Sequence, residues 1–415
     1  MNITILTTGT RGDTQPYLAL GKELQLAGAK VKVAAFENFE AFVREAGLDY
    51  HPIKGDVSQL TQSDLVEDAM KADHPIKFFR SFRKLMPLME GLQKDFYEAC
   101  IGADAIVYHP GAALGYYIGQ KLNIPVILAS PFPMTPTKEY PALIFYDSRR
   151  LGRTYNWLTH KLFEKGMWMA SKRPGKKFWE KELGPVPKNF TAPFSKQPAV
   201  SSISRHVFPR PKDWPEDSDA FGYWFHDHEK WTPPADLVQF LQAGKPPVYA
   251  GFGSVSNPKE AKETTRMILD ALKETGQRGI LATGWNGLAE SEEIPEDVFI
   301  LKSAPHSWLF PKMAAVIHHG GAGTTAEGLR AGIPSIIVPH SNDQFAWGRR
   351  VRELGVGPEP IRRKQLTAEK LTAAVNRALH SDIVHTAGEL GEKIRKEQGA
   401  KEAAQFILHS LQKIR

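Results

Sequence analysis

Short apolar runs alternate with amphipathic stretches from the first residues of the chain onward. Ile3 to Thr7 reads as a strand, a helix follows from about Pro16 to Ala27, and a strand over Lys30 to Ala35 and a helix over Glu37 to Ala46 repeat the pair. Ala105 to Tyr108 and Ile124 to Ser130 continue the strands. The segment from about Gln59 to Cys100 is mostly helical, and Pro131 to Phe194 reads as a long insertion of helices and loops. After a proline-dense stretch from about Phe208 to Pro234 the alternation restarts, with strands at Val248 to Gly251, Gly279 to Ala282, Val298 to Leu301, Ala314 to Ile317 and Ser335 to Val338. A helix runs from about Ala261 to Thr275, and Leu366 to Arg415 is helical. Alternation of this kind predicts an α/β fold of parallel sheets joined by crossover helices.

A chain of 415 residues exceeds the size at which one core usually keeps growing, so two domains are expected. The first covers 1–207, a linker 208–235, the second 236–390, and the last helix, 391–415, is expected to cross back to the first domain. The two doubly wound domains are expected to face one another across a cleft.

Composition changes the picture in three places. The single cysteine, Cys100, excludes an internal disulfide and fits a reducing compartment. No basic leader precedes the opening strand and no apolar run approaches the ~20 residues needed to span a bilayer, so a soluble, cytoplasmic protein is expected. The net charge of +7 is concentrated between Arg149 and Lys181, where ten Lys/Arg stand against Glu164 and Glu180 and are mixed with six aromatics. Basic residues mixed with aromatics in 149–181 can mean nucleic acid or peripheral contact with an anionic membrane surface, and a solvated helix whose aromatics face the core stays equally open. Nothing else points to nucleic acid.

The chemistry is densest at His318-His319-Gly320-Gly321-Ala322-Gly323-Thr324-Thr325-Ala326-Glu327. A strand, a glycine-rich turn and a helix start build a nest of free backbone N–H groups where a phosphate can sit. The segment has no Gly-Lys-Ser/Thr and lacks the third glycine of the dinucleotide fingerprint. Imidazoles at the strand end suit a sugar nucleotide that must leave as a diphosphate. Asp343 and Gln344, after the strand that ends at Val338, offer an acid and an amide for sugar hydroxyls. At the end of the first strand, Asp13 in Gly9-Thr10-Arg11-Gly12-Asp13 faces the expected cleft, yet it could equally cap the following helix. Asp217-Ser218-Asp219 lies in the proline-rich stretch and reads as a solvated acidic loop, so no metal is implied.

Taken together, Gly-Thr-Arg-Gly-Asp, HHGGAGTTAEG and Asp343-Gln344 resemble the bacterial and fungal branch of the family 1 glycosyltransferases, which includes sterol glucosyltransferases and antibiotic glycosyltransferases. The resemblance spans nearly the whole chain and is strongest from Pro247 to Gly357. It implies a GT-B fold of two Rossmann-like domains and an inverting, metal-independent transfer from a UDP-sugar, such as UDP-glucose, to a hydrophobic hydroxylated acceptor. By the same match Asp13 is the general base, and Thr10, Arg11 and Gly12 beside it contact the donor. His319, Gly321, Gly323, Thr324 and Ser254 hold the diphosphate, Glu327 the ribose, and Asp343 and Gln344 the hexose. His306 lies near the base. Many plant members carry a tryptophan at the position of Ser303, so Trp285 is the substitute for base stacking, an ordinary packing role being equally open. Two other functions fit the same fold: a UDP-sugar epimerase, which needs no acceptor, and a sugar-nucleotide or lipid-binding module without catalysis.

Overall fold

The computed structural model describes residues 1–55, 86–147, 151–188, 190–227, 231–252, 258–283, 294–340 and 343–414. Among these the chain divides into two units, Met1–His226 with Glu397–Arg415, and Asp227–Lys396.

The first unit is built on seven parallel strands in the order β3-β2-β1-β4-β5-β6-β7. They are β1 (Asn2–Leu6), β2 (Lys30–Phe36), β3 (Asp49–Ile53), β4 (Ala105–Tyr108), β5 (Val126–Ser130), β6 (Ala199–Ser202) and β7 (Ser218–Gly222). In the middle of the sheet Ile5 pairs with Val33 on one side and Val107 on the other. Strands β4 and β5 are almost wholly apolar because helices cover both faces of a parallel sheet, while β1 and β2 keep Asn2, Thr4, Lys30 and Lys32 among their apolar residues. The covering helices include α1 (Arg11–Leu26), α2 (Glu40–Glu45), α3 (Met86–Cys100), α4 (Gly115–Leu122) and the 30-residue α5 (Arg153–Glu182).

Helix α1 starts at Arg11, five residues before Pro16, where the sequence pattern had placed its start. Proline fixes a helical φ and lacks only the N–H that would bond back to Gly12, a loss that the second turn tolerates here. Asp13 thus sits inside the first helical turn rather than in a loop. Strands β3, β6 and β7 escape sequence reading for a different reason: none carries a clean apolar run, since β3 holds Asp49, His51 and Pro52, the last acceptable on an edge strand, and β6 and β7 mix serines, Asp219 and Gly222 with their apolar residues.

The stretch expected to be a linker is largely part of this unit. Residues up to His226 belong to it, and β7 is the sheet's edge. Prolines deny the segment helical periodicity, and the Arg210 guanidinium organises it instead by donating to the carbonyls of Pro215 and Ser218. Asp219 is the other anchor, paired with Arg205 at 2.8 Å and Arg210 at 3.4 Å, so of the acidic triplet Ser218 and Asp219 lie on strand β7 while Asp217 stays exposed in the turn before it.

In the second unit five parallel strands run in the order β10-β9-β8-β11-β12. They follow α6 (Ala235–Gln242) and are β8 (Val248–Gly251), β9 (Gly279–Ala282), β10 (Val298–Leu301), β11 (Ala315–His318) and β12 (Ser335–Ile337). Helix α7 (Pro258–Thr275) connects β8 to β9, and the short α8 (His306–Leu309) precedes β11. Helix α9 (Ala322–Ala331) follows β11, and α10 (Gln344–Glu353) follows β12. Two further helices, α11 (Ala368–Ala378) and α12 (Ser381–Arg395), complete the unit, with α11 packed on α7 and α12 on α9. The last helix, α13 (Gly399–Ile414), belongs to the first unit, where it packs on α1 and β7.

Candidate active site

In open parallel sheets ligands bind beyond the carboxyl ends of strands, where the strand order reverses. That point lies between β1 and β4 in the first unit and between β8 and β11 in the second.

At the first switch point the β1–α1 turn places Asp13 one-third exposed. Its Oδ2 accepts from the Thr10 N–H at 2.8 Å and the Thr10 hydroxyl at 3.1 Å, the return half of a capping box. Capping and function are therefore compatible, because one carboxylate oxygen does the capping while Oδ1 points elsewhere. It faces His109 Nε2 at 3.7 Å. Gly9 makes this turn feasible: its φ of 112° is poorly open to other residues, and a Cβ there would lie 2.3 Å from Asp13 Oδ2. Arg11 turns to Gln15, with Nε donating to Oε1 at 3.3 Å, and its guanidinium lies 4.8 Å from the centroid of the Phe42 ring. Thr10 and Gly12 are exposed beside it.

His109, the first residue beyond β4, was not singled out in the sequence. Its Nδ1 accepts from the Gly111 N–H at 3.0 Å, so in the neutral ring Nε2 carries the proton, and that buried nitrogen has no hydrogen-bond partner. Burial holds the His109 pKa below the usual histidine value, with Asp13 pulling the other way. A neutral N–H dipole is thus directed at the Asp13 carboxylate. The Tyr17 ring packs edge-on against the imidazole at 5.8 Å. The signal that could have revealed His109 is its place: an ionisable residue directly after the strand beside β1.

At the second switch point β11 ends in His318, and the turn to α9 runs through His319, Gly320 and Gly321. Gly320 has a φ of 87°, and a Cβ there would come within 2.7 Å of Ile337. Gly321 is the N-cap and supplies no side-chain acceptor, so the N–H groups of the first turn, at Ala322, Gly323 and Thr324, lack the usual cap. A Cβ on Gly323 would meet nothing within 4 Å, so this glycine borders open space. His318 is fully buried and accepts from the Gly320 N–H through Nδ1, which fixes the turn. His319 is half-buried, its Nδ1 is buried without a partner, and burial pushes its pKa down to about 4. The arrangement is an uncapped helix N-terminus beside a neutral imidazole with an unfilled hydrogen-bond position, which matches an anion with several oxygens.

Residues 3–141 match the glycosyltransferase family 28 N-terminal domain, and residues 266–414 match the erythromycin biosynthesis protein CIII-like C-terminal domain. Over 419 residues the chain is 35% identical to the sterol 3-beta-glucosyltransferase UGT80B1 of Arabidopsis thaliana, covering 97% of this chain and 67% of that protein. The chain belongs to the family 1 glycosyltransferases. A sterol 3-beta-glucosyltransferase of Emericella nidulans is 36% identical over 99% of this chain, which spans only 30% of that longer protein. Among solved structures, the glycotransferase of kitacinnamycin superposes with a TM-score of 0.71 at 19% identity, covering 99% of each chain. The calicheamicin glycosyltransferase CalG4 does so at 0.69 and 17%, covering 100% of this chain and 98% of its own. Together with the two parallel sheets, these likenesses give this glycosyltransferase the GT-B fold.

The remaining expected residues of the glycosyltransferase are distributed over the second unit. Glu327, in the second turn of α9, accepts at Oε2 from Arg330 Nη2 at 2.7 Å and Nε at 3.1 Å. Arg330 also grips both oxygens of Asp227 at 2.7 and 3.0 Å, so it fixes the start of the second unit and the Glu327 rotamer together. Burial pushes the Glu327 carboxyl up to about 7 against the pull of that guanidinium. Asp343 and Gln344 lie at the start of α10, where Asp343 Oδ2 accepts from Trp347 Nε1 at 3.0 Å and Gln344 Oε1 from the His340 N–H at 2.8 Å. His340, missed in the sequence, stacks on Phe252 at 5.7 Å and lies 6.3 Å from the His319 ring. His306 opens α8 stacked on Phe310 at 4.2 Å, its Nε2 3.5 Å from the Tyr249 hydroxyl. Ser254 and Trp285 lie outside the described residues, as do Arg149 and Arg150 of the basic segment.

Proposed function

We propose that this glycosyltransferase transfers glucose from UDP-glucose to the hydroxyl of a hydrophobic acceptor, a sterol first among the candidates, with inversion at the anomeric carbon. The observation that carries the donor reading is the uncapped start of α9 beside the unpartnered Nδ1 of His319. The acceptor reading leans on the sterol glucosyltransferases to which the chain is similar.

The acceptor oxygen attacks the anomeric carbon as the bond from that carbon to the β-phosphate oxygen breaks. The hydroxyl proton passes to Asp13, whose Oδ1 is the oxygen not engaged by Thr10. UDP departs with the bond's electron pair. Negative charge grows on the diphosphate, and the α9 N–H groups with a neutral imidazole donor at His319 stabilise it more in the transition state than in the ground state. No metal takes part in this scheme. Glu327 holds the ribose and Asp343 with Gln344 the hexose hydroxyls. Aspartate is a weak base for an alcohol, so proton transfer comes late and depends on how Asp13 is held.

Thermal unfolding with UDP, UDP-glucose or TDP-glucose, each with EDTA, tests the donor site. At ~100 times its dissociation constant the preferred donor stabilises the protein by about 2.7 kcal/mol. Asp13→Asn should then lose roughly 100-fold or more in turnover of UDP-glucose with a sterol while its donor affinity holds. Normal turnover by that variant would overturn the base assignment, and no shift with any nucleotide would overturn the donor site.

A further inference from the structure

Helix α5, Arg153–Glu182, is about 45 Å long and has two unlike sides. Inward, Met167, Trp168, Phe178 and Trp179 are buried in the core of the first unit. Outward, Leu158, Leu162, Lys165, Met169, Lys172 and Lys176 follow one another at steps of four, three, four, three and four and are all exposed. That spacing puts them on a single stripe. Leu158, Leu162 and Met169 are 47%, 48% and 66% exposed, and Leu151 and Trp157, at 66% and 41%, extend the apolar part toward the helix start. Large apolar side chains lined up in water mark a contact surface.

Charge says which surface. Lysines continue the apolar stripe, Arg173 flanks it, and residues 149–181 carry ten Lys/Arg against two glutamates in a chain whose total net charge is +7. An apolar line continued and flanked by lysines is the pattern of a helix that lies in the headgroup region of an anionic bilayer, with the lysine stems reaching up to the phosphates. Among the described residues no helix is long and apolar enough to cross a membrane, so the contact is in-plane.

We propose that the outward face of α5 docks the protein on the surface of an anionic lipid bilayer. Leu158, Leu162 and Met169 enter the headgroup and acyl boundary, and Lys165, Lys172 and Arg173 engage the headgroups. Docking would bring a membrane-resident acceptor to the enzyme, and to that extent it rests on the acceptor reading above. The binding itself depends only on the helix face.

The full chain is co-sedimented with vesicles of phosphatidylcholine alone or mixed with phosphatidylserine, at low and high salt. Binding to the anionic vesicles that salt weakens is expected. It should fall at least about tenfold in Leu158→Ser/Leu162→Ser/Met169→Ser and in Lys165→Glu/Lys172→Glu/Arg173→Glu. The charge-reversed set touches only exposed positions and covers the case in which the serine variant fails to fold. Both variants should keep the UDP-glucose thermal shift and transfer to a detergent-dispersed sterol. Loss of transfer in every protein, with vesicle binding intact, would sink the proposed reaction and leave the docking surface standing. Equal sedimentation with neutral and anionic vesicles, or none, overturns the docking surface. So does self-association without lipid that the serine variant abolishes, which would make the face a contact between copies.

Discussion

At the scale of single residues, the candidate base is held by two neighbours that act on different oxygens. Thr10 fixes Asp13 Oδ2 through the helix cap, and His109 presents Nε2 to Oδ1 at 3.7 Å, longer than a hydrogen bond but with its dipole on the carboxylate. His109→Phe keeps the ring packed on Tyr17 and removes the dipole. Turnover should drop by roughly tenfold with UDP-glucose affinity unchanged, since in the proposed scheme His109 acts on the proton acceptor and not on the donor. Unchanged turnover would reduce His109 to a packing residue. Glu327 supports a pH prediction in the opposite half of the reaction. Its carboxyl is raised to about 7 by burial, so it is protonated below that pH and ionised above it. If Glu327 holds the ribose as proposed, it accepts from both hydroxyls only as the carboxylate, so UDP-glucose affinity should rise with pH, by up to about tenfold between pH 6 and 8. His319 and His340, lowered to about 4 and about 3, stay neutral across that window, and the diphosphate of UDP-glucose is fully ionised throughout it. Titration calorimetry on Glu327→Gln should show the pH dependence gone. A slope that survives in this variant would assign it to another group.

Among elements, the start of α9 separates what a helix needs from what a ligand needs. A Cβ on Gly323 meets nothing of the protein and the position has ordinary helical φ, so neither packing nor backbone strain requires glycine there. Gly323→Ala should stabilise the fold by up to about 1 kcal/mol through helix propensity, yet weaken UDP-glucose binding by tenfold or more. A tighter or equal dissociation constant, measured by the same calorimetry, would remove the α9 start from the donor site. The elements also show why some of the fold was readable and some was not. Strands β1, β4, β8 and β11 are predominantly apolar runs flanked by helical periodicity, and the sequence pattern places each of them to within a residue or so. Strand β7 lies among prolines, where carbonyls bonded to Arg210 replace any periodic signal. The start of α1 was misplaced because Pro16 reads as a helix opener, while Thr10 and Asp13 had already opened it. Of the site, the motif residues Asp13, His319 and Glu327 were legible because loop chemistry follows strand ends directly. His109 and Arg330 were not, because what distinguishes them is a neighbour about a hundred residues away in the chain, Asp13 for one and Asp227 for the other.

Over the whole molecule, the chain returns to its beginning. Helix α13 belongs to the first unit, buries Ala403, Ala404, Ile407 and Leu411, and packs on α1, the helix that carries Asp13 in its first turn. The approach is close at its start, where a Cβ on Gly399 would lie 2.5 Å from the Gly222 backbone at the end of β7. The last segment is therefore part of what holds the proposed base, although Asp13 and α13 stand at opposite ends of the sequence. Ile407 is fully buried in the core of the first unit, and Ile407→Ala removes apolar contact and leaves a cavity there, at a cost of about 2–5 kcal/mol. The described residues proposed to hold the diphosphate, ribose and hexose lie between Asp227 and Lys396, in a unit with cores of its own. The variant should accordingly lose transfer activity at a lower temperature than the parent while binding UDP-glucose with the same affinity at 20 °C. Comparing thermal inactivation of transfer with calorimetric donor affinity checks both halves. Equal heat resistance would show that α13 adds little to the first unit, and a matched loss of donor affinity would show that its effect reaches the second.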